Sequence, residues 1–207
     1  MEMGPQHRAA LGDLLEWRRD VRHFRSDPLA PETLSRLRAA MDRAPAVGNA
    51  RPWRVLQIDN AAKRAAVIAD FEVANEDAAC GYEGDAAAKY RALKLAGLRE
   101  APVHLAVFTE TKPVEGAGLG RQTMPEMLAY STVTAIHTLW LAARAENIGV
   151  GWVSILHPDK VAAICEVPES WVLTGYLCLG HPESFDDTPL LHRVGWQETT
   201  ETHWEVV

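Results

Sequence analysis

Helical spacing of apolar residues recurs along much of the chain, interrupted by shorter stretches with strand character. Residues 7–18 read as a short helix that runs into a cluster of arginines. From Pro31, Leu34, Leu37 and Met41 recur at steps of three and four, and Pro31 and Glu32 suit a helix start; that helix stops near Ala44-Pro45. Two more helices are predicted over about 61–79 and 85–99, the second with Tyr90, Leu93 and Gly97 on one side. The most apolar helix covers about 125–147, ending at a glycine, Gly149, suited to the left-handed cap. Its Ala129, Val133, Ile136, Trp140 and Ala143 lie at helical spacing, and Leu128, Leu139 and Leu141 widen the stripe. A helix apolar over so much of its surface is buried on several sides, at the centre of a domain or in a dimer interface. A short helix with Pro158 at its start completes the set.

Strands are predicted at W-R-V-L-Q-I (53–58), P-V-H-L-A-V-F-T (102–109), V-G-W-V-S-I (150–155) and W-V-L-T-G-Y-L-C-L-G (171–180). Val103, Leu105 and Val107 alternate as in a buried strand. The stretch A-P-A-V-G-N-A-R-P-W (44–53) is a loop, E-G-A-G-L-G-R-Q-T-M (115–124) is a glycine-rich loop, and the tail from 181 is Pro-rich and polar. No repeat, low-complexity tract or linker interrupts the pattern. The expectation is one domain over 1–207, core about 10–197, of α+β or α/β class with a small mixed sheet.

Composition narrows the function classes. A net charge of −7 argues against a general affinity for nucleic acid or anionic membrane, so the basic cluster near residue 20 acts locally. No apolar run approaches the ~20 residues of a membrane span, and the start of the chain lacks a secretory apolar stretch. Cys80, Cys165 and Cys178 are far apart and odd in number, as expected for reduced thiols in the cytoplasm. The eight histidines show no ligand spacing, so no metal is expected.

Candidate chemistry begins at W-R-R-D-V-R-H-F-R (17–25). Arg18 and Arg22, or Arg19 and Arg22, could share one helical face and present planar N–H forks to a phosphate. Alternatively, Glu16 and Asp20 pair with these arginines in a solvated cluster. In the 44–53 loop, Gly48 permits close backbone approach and Asn49 offers donor and acceptor, a set that can read a flat polar ring; a plain helix-to-strand connection explains it equally well. The glycines at 116, 118 and 120 lack the spacing of a dinucleotide fingerprint. Ser154 closes a predicted strand without a nucleophile elbow, which points to a hydrogen-bonding pocket serine or a satisfied strand hydroxyl. Trp53, Trp140, Trp152 and His137 are expected in the core.

Several strings together resemble the FMN-dependent nitroreductase-like superfamily, and within it the 5,6-dimethylbenzimidazole synthase (BluB) branch. They are R-R-D-V-R-H-F (18–24), A-P-A-V-G-N-A-R-P-W (44–53), K-L-A-G-L-R-E-A-P-V (94–103), G-L-G-R-Q-T-M-P-E-M-L (118–128), A-I-H-T-L-W-L-A-A-R-A (135–145) and G-V-G-W-V-S-I-L (149–156). The similarity covers about residues 10–197. It implies an α+β nitroreductase-like fold, with a mixed, mainly antiparallel sheet flanked by helices and a long central helix in a homodimer. FMN would lie at the subunit interface, each site drawing on both chains. The implied flavin-binding set is Arg18, Arg19, Asp20, Val21, Arg22, Ala46, Val47, Gly48, Asn49, Leu93, Trp152, Val153, Ser154 and Arg193.

In that branch reduced FMN is the substrate. With dioxygen it is fragmented to 5,6-dimethylbenzimidazole, the lower ligand of cobalamin, and erythrose 4-phosphate. A carbon–hydrogen bond of the ribityl chain must break, so a positioned base is needed. A carboxylate beside arginines stays ionised and can serve, so the expectation is that Asp20 takes or relays that proton and that Ser154 orients the flavin or its peroxide; a separate NAD(P)H-dependent flavin reductase would supply the electrons. Two positions depart from the family loop: Ala46 stands where serine is usual and Arg51 where glutamine is usual. Arg51 could add a cationic flavin contact or point outward. The other readings are an NAD(P)H-dependent nitroreductase or flavin reductase that retains its FMN, and a flavin-binding protein without chemistry.

Overall fold

The computed structural model describes residues 1–207. Four strands, β1 (Trp53–Gln57), β2 (Val103–Glu110), β3 (Gly149–Val153) and β4 (Trp171–Gly180), form one sheet in the order β1-β2-β4-β3. Every pair of neighbours is antiparallel. The expected mixed sheet is therefore corrected: the one parallel pairing is an isolated bridge, Asp20 to Val150.

Two apolar layers account for the run of buried residues along β2. Side chains alternate across a sheet, and Leu105 and Val107 enter one cluster while Ala106 and Phe108 enter the other. On β4, Leu177 and Leu179 likewise part from Tyr176 and Cys178. The first layer is closed by α2 (Pro31–Met41) and α5 (Met127–Ala145), through Leu37, Met41, Ile136 and Leu139. The second is closed by α3 (Ala61–Ala79) and α6 (Pro158–Cys165), through Val67 and Val161. Such a strand is apolar on both faces because it is covered on both.

Several elements differ from their expected bounds. The first helix, α1, runs Pro5–Trp17, so the arginine cluster follows it as extended chain. The helix expected over 85–99 is α4, Gly84–Ala92. Its continuation is turned inward, and a Cβ at Gly97 would overlap the Phe24 ring. The tail contains a short helix, α7 (Leu190–Arg193). The central helix buries Ile136, Leu139, Trp140 and Ala143 as expected, but Tyr130, Val133 and His137 face outward. His137 is thus not a core residue. Trp53 and Trp140 are buried, and Trp152 packs against the first layer from its edge.

One buried pair has a pH consequence. His104 of β2 lies with Nδ1 3.0 Å from the Tyr176 hydroxyl, and burial, aided by the nearby Arg64 charge, pushes its pKa down to about 4 from 6.5. The unfolded chain therefore takes up this proton first as pH falls. The stability that comes with a buried neutral imidazole is intact above pH 6.5 and lost progressively toward pH 4, a cost of about 3 kcal/mol. Urea unfolding at pH 7 and pH 4 is expected to show that loss. A variant replacing both partners, His104→Phe with Tyr176→Phe, is expected to show an acid loss smaller by that amount.

Candidate active site

The arginine segment is placed by glycines far away in the chain. Residues 18–22 lie along β3, with Val21 N–H donating to the Val150 carbonyl at 3.0 Å. A Cβ at Gly149 would sit 2.9 Å from the Val21 side chain, and one at Gly151 would overlap the Val21 carbonyl oxygen. G-V-G at 149–151 therefore makes room for this segment, and Phe24, only 2% exposed, anchors its end.

Extended chain puts residues two apart on one side, and Asp20 and Arg22 are such a pair. Arg22 Nε donates to Asp20 Oδ2 at 2.8 Å, and Trp152 N–H on β3 donates to Oδ1 at 2.9 Å. Both carboxylate oxygens are thereby fixed, and Asp20 remains one-third exposed. Arg22 Nη1 also reaches the Lys94 carbonyl, 3.3 Å away in the chain that follows α4.

This segment forms one wall of a cavity of about 370 Å³. Arg144 at the end of α5 and residues 184–193 of the tail form other parts. Arg19 Nε donates to the Asp187 carbonyl at 2.8 Å, Arg193 pairs with Asp186 at 2.7 Å, and the Arg144 guanidinium lies 4.3 Å from the Phe185 ring centre. Arg18 stacks on Trp140 at 5.0 Å, and its buried Nε has no partner. Burial and the neighbouring Arg19 lower the Arg18 pKa, with Asp20 acting against them. Five arginines thus face this space against two aspartates, Asp20 and Asp186. An anion there would supply what the arrangement lacks: charge neutralisation and an acceptor for Arg18.

The A-P-A-V-G-N loop is built elsewhere. A Cβ at Gly48 would lie 2.7 Å from the Leu119 carbonyl, and one at Gly116 would lie 2.7 Å from the Gly48 carbonyl. The glycine-rich stretch is a seat for this loop. Val47 N–H donates to Ser131 Oγ of α5 at 3.0 Å, which fixes the loop from the core side.

A match to the Nitroreductase family spans residues 15–181. The chain belongs to the nitroreductase family. It is 54% identical over 205 residues to 5,6-dimethylbenzimidazole synthase of Rhodobacter capsulatus, covering 99% of both chains. It is 50% identical over 193 residues to the enzyme of that name from Rhodospirillum rubrum, covering 93% of this chain and 92% of the relative. Among solved structures, iodotyrosine deiodinase bound to FMN and 3-iodo-L-tyrosine shares the fold at a TM-score of 0.73 and 20% identity, over 95% of this chain and 97% of the other. A BluB-like flavoprotein from Clostridium difficile 630 has a TM-score of 0.65 at 21% identity, over 84% and 90% of the two chains.

In this nitroreductase-family chain the residues expected at the flavin fall into separate groups. Arg18, Arg19, Asp20, Val21, Arg22 and Arg193 line the arginine cavity. Trp152 is tied to it through Asp20. Val153 is the buried last residue of β3, and Ser154 follows it, exposed. Leu93 caps the C-terminus of α4 and precedes the Lys94 carbonyl that meets Arg22. Ala46, Val47, Gly48 and Asn49 do not line the cavity. Arg51, the other departure from the family loop, pairs its guanidinium with Asp42 and lies 5.6 Å from the Trp53 ring centre. Arg144 was not expected in the site. Its signal was legible, since it is the one Lys, Arg, Asp or Glu within α5.

Proposed function

We propose that this chain is a 5,6-dimethylbenzimidazole synthase, which with dioxygen breaks reduced FMN into 5,6-dimethylbenzimidazole, erythrose 4-phosphate and the remainder of the flavin's pyrimidine ring. The observation that carries this reading is Asp20, a carboxylate built into an arginine cavity and fixed through both oxygens. Asp20 aligns Arg22 and the segment on β3, and, one-third exposed at the cavity, it is also a group able to take a proton there. The near-full-length relatives at 50–54% identity support the same reading.

The cavity fits FMN through its phosphate, for which Arg18 has an unpartnered buried Nε and Arg19, Arg22 and Arg193 supply further donors. Reduced FMN, when bound, supplies the electrons for dioxygen and the carbon skeleton of the benzimidazole. Asp20 accepts the ribityl proton at a carboxylate oxygen, and the Trp152 N–H and Arg22 hold that carboxylate in place. Ser154, just beyond β3, orients the flavin with its hydroxyl.

The 46–49 loop enters the site from a second copy of the chain. Two outward faces are apolar: Tyr130 and Val133 on α5, 52% and 41% exposed, and Leu11 and Leu15 on α1, 50% and 47% exposed. Pairing these faces in a homodimer removes them from water. No helix is long and apolar enough to cross a membrane, and the free thiols Cys80, Cys165 and Cys178 fit a reducing cytoplasm, where a separate reductase provides reduced FMN.

The test is the fate of the flavin. Reduced FMN offered in air is consumed by a synthase. A nitroreductase returns it oxidised and turns over NADH, and a carrier leaves it intact.

A further inference from the structure

Ser154 lies on a short connection that is fixed at both ends by carboxylates. Residues 154–157, Ser-Ile-Leu-His, join β3 to α6. On the near side, Asp20 holds the Trp152 N–H. On the far side, Asp70 of α3 takes the His157 N–H on Oδ2 at 2.8 Å and lies with Oδ1 2.8 Å from His157 Nδ1. Lys160 Nζ adds a contact at 3.2 Å.

Asp70 is unusual for its setting. Its side chain is 3% exposed, on a helix that buries Val67 and packs Ile68 and Phe71 against the same apolar layer. Burial alone would raise its pKa; the bonds from His157 and Lys160 hold it below the usual carboxylate range. An apolar residue at such a position is often as stabilising as a buried ion pair, so layer packing does not explain the carboxylate. What only the carboxylate does is grip the backbone and ring of one residue together, at the N-cap of α6, where negative charge is favoured.

We propose that Asp70 is a positioning residue for Ser154, clamping the end of the connection that presents the serine hydroxyl. The role rests on the reading that Ser154 faces the flavin. Asp70 touches no reacting group; it acts by holding residue 157, which limits where residues 154–156 can lie. Side chains set by a fixed backbone hold reactive geometry better than those on a free loop.

The test combines Asp70→Asn, Ser154→Ala and the double variant. In the flavin-free protein, Asp70→Asn is expected to speed amide hydrogen exchange across 154–157 at least about tenfold, whereas Ser154→Ala leaves it unchanged. FMN affinity is expected to stay within about threefold, since the arginines are untouched, while single-turnover benzimidazole formation falls about tenfold or more. In the Ser154→Ala background, Asp70→Asn is expected to add less than about a twofold change, the non-additivity of residues acting as a unit. His157→Ala, at a partly exposed position, gives a milder form of the same pattern if Asp70→Asn folds poorly. Unchanged exchange in Asp70→Asn, or a full additional loss in the double variant, overturns the positioning role alone. A wild-type protein that makes no benzimidazole overturns the reaction, and the role with it.

Discussion

Asp20→Asn is expected to lower dimethylbenzimidazole formation at least about 100-fold, the scale on which a positioned base contributes, while the protein still binds FMN. The substitution keeps the shape of the side chain and one acceptor for the Trp152 N–H. It turns an amide donor toward Arg22 Nε, which now donates to Asp20 Oδ2 at 2.8 Å, and it removes the group able to accept a proton. Loss of a negative charge among five arginines does not weaken a phosphate site, so affinity measured by flavin fluorescence is expected to hold or rise. This split separates a base from a merely structural carboxylate. An Asp20→Asn protein that forms product at the wild-type rate contradicts the role.

Gly151→Ala is expected to damage both the fold and the flavin site. The added methyl meets the Val21 carbonyl oxygen, a backbone atom that cannot rotate away. The arginine segment must then leave β3, straining the bonds on either side of the glycine, Val21 N–H to Val150 and Trp152 N–H to Asp20. Overpacking together with loosened buried hydrogen bonds costs about 3 kcal/mol. Urea unfolding measures that loss, and FMN affinity is expected to fall at least about tenfold, since Arg18, Arg19 and Arg22 move with the segment. Gly12→Ala on α1, where a Cβ meets nothing within 4 Å, is the control and is expected to be neutral or slightly stabilising. A Gly151→Ala protein with wild-type stability and affinity would show that the close approach is not needed.

The same glycines explain why the arginine cluster was hard to read. Arg18 and Arg22 stand four apart, which fits a helical face, and nothing local distinguishes that from extended chain. The deciding contacts are with Val150 and Trp152, reached only once G-V-G clears a path. Long-range pairing of this kind leaves no periodic trace in the segment it shapes. The end of α4 was obscured similarly. Leu93, Leu95 and Leu98 keep the stretch apolar, but Gly97 must leave the helix to seat Phe24. By contrast, α3 matches its predicted bounds, and β2 and α5 lie close to theirs, because their patterns come from faces in direct contact with the core.

For the candidate site, the residue types were legible and their grouping was not. The arginines, Asp20 and Ser154 could be picked from sequence strings, as could the 46–49 loop. That the loop lies outside the arginine cavity of its own chain, seated on Gly116 and Ser131, depends on contacts far apart in the sequence. In the proposed homodimer, the second protomer brings the two together. The glycines at 116, 118 and 120, rejected as a dinucleotide fingerprint, have a packing explanation at Gly116 and another at Gly120, where a Cβ would lie 3.0 Å from Val47.

The central claim is that reduced FMN is consumed and not recycled. The most direct measurement is to mix the protein with FMN reduced chemically and without NADH, admit air, and separate the products by chromatography. The account predicts loss of flavin with the appearance of 5,6-dimethylbenzimidazole, in equal amount to erythrose 4-phosphate. Quantitative recovery of oxidised FMN with no benzimidazole would contradict it.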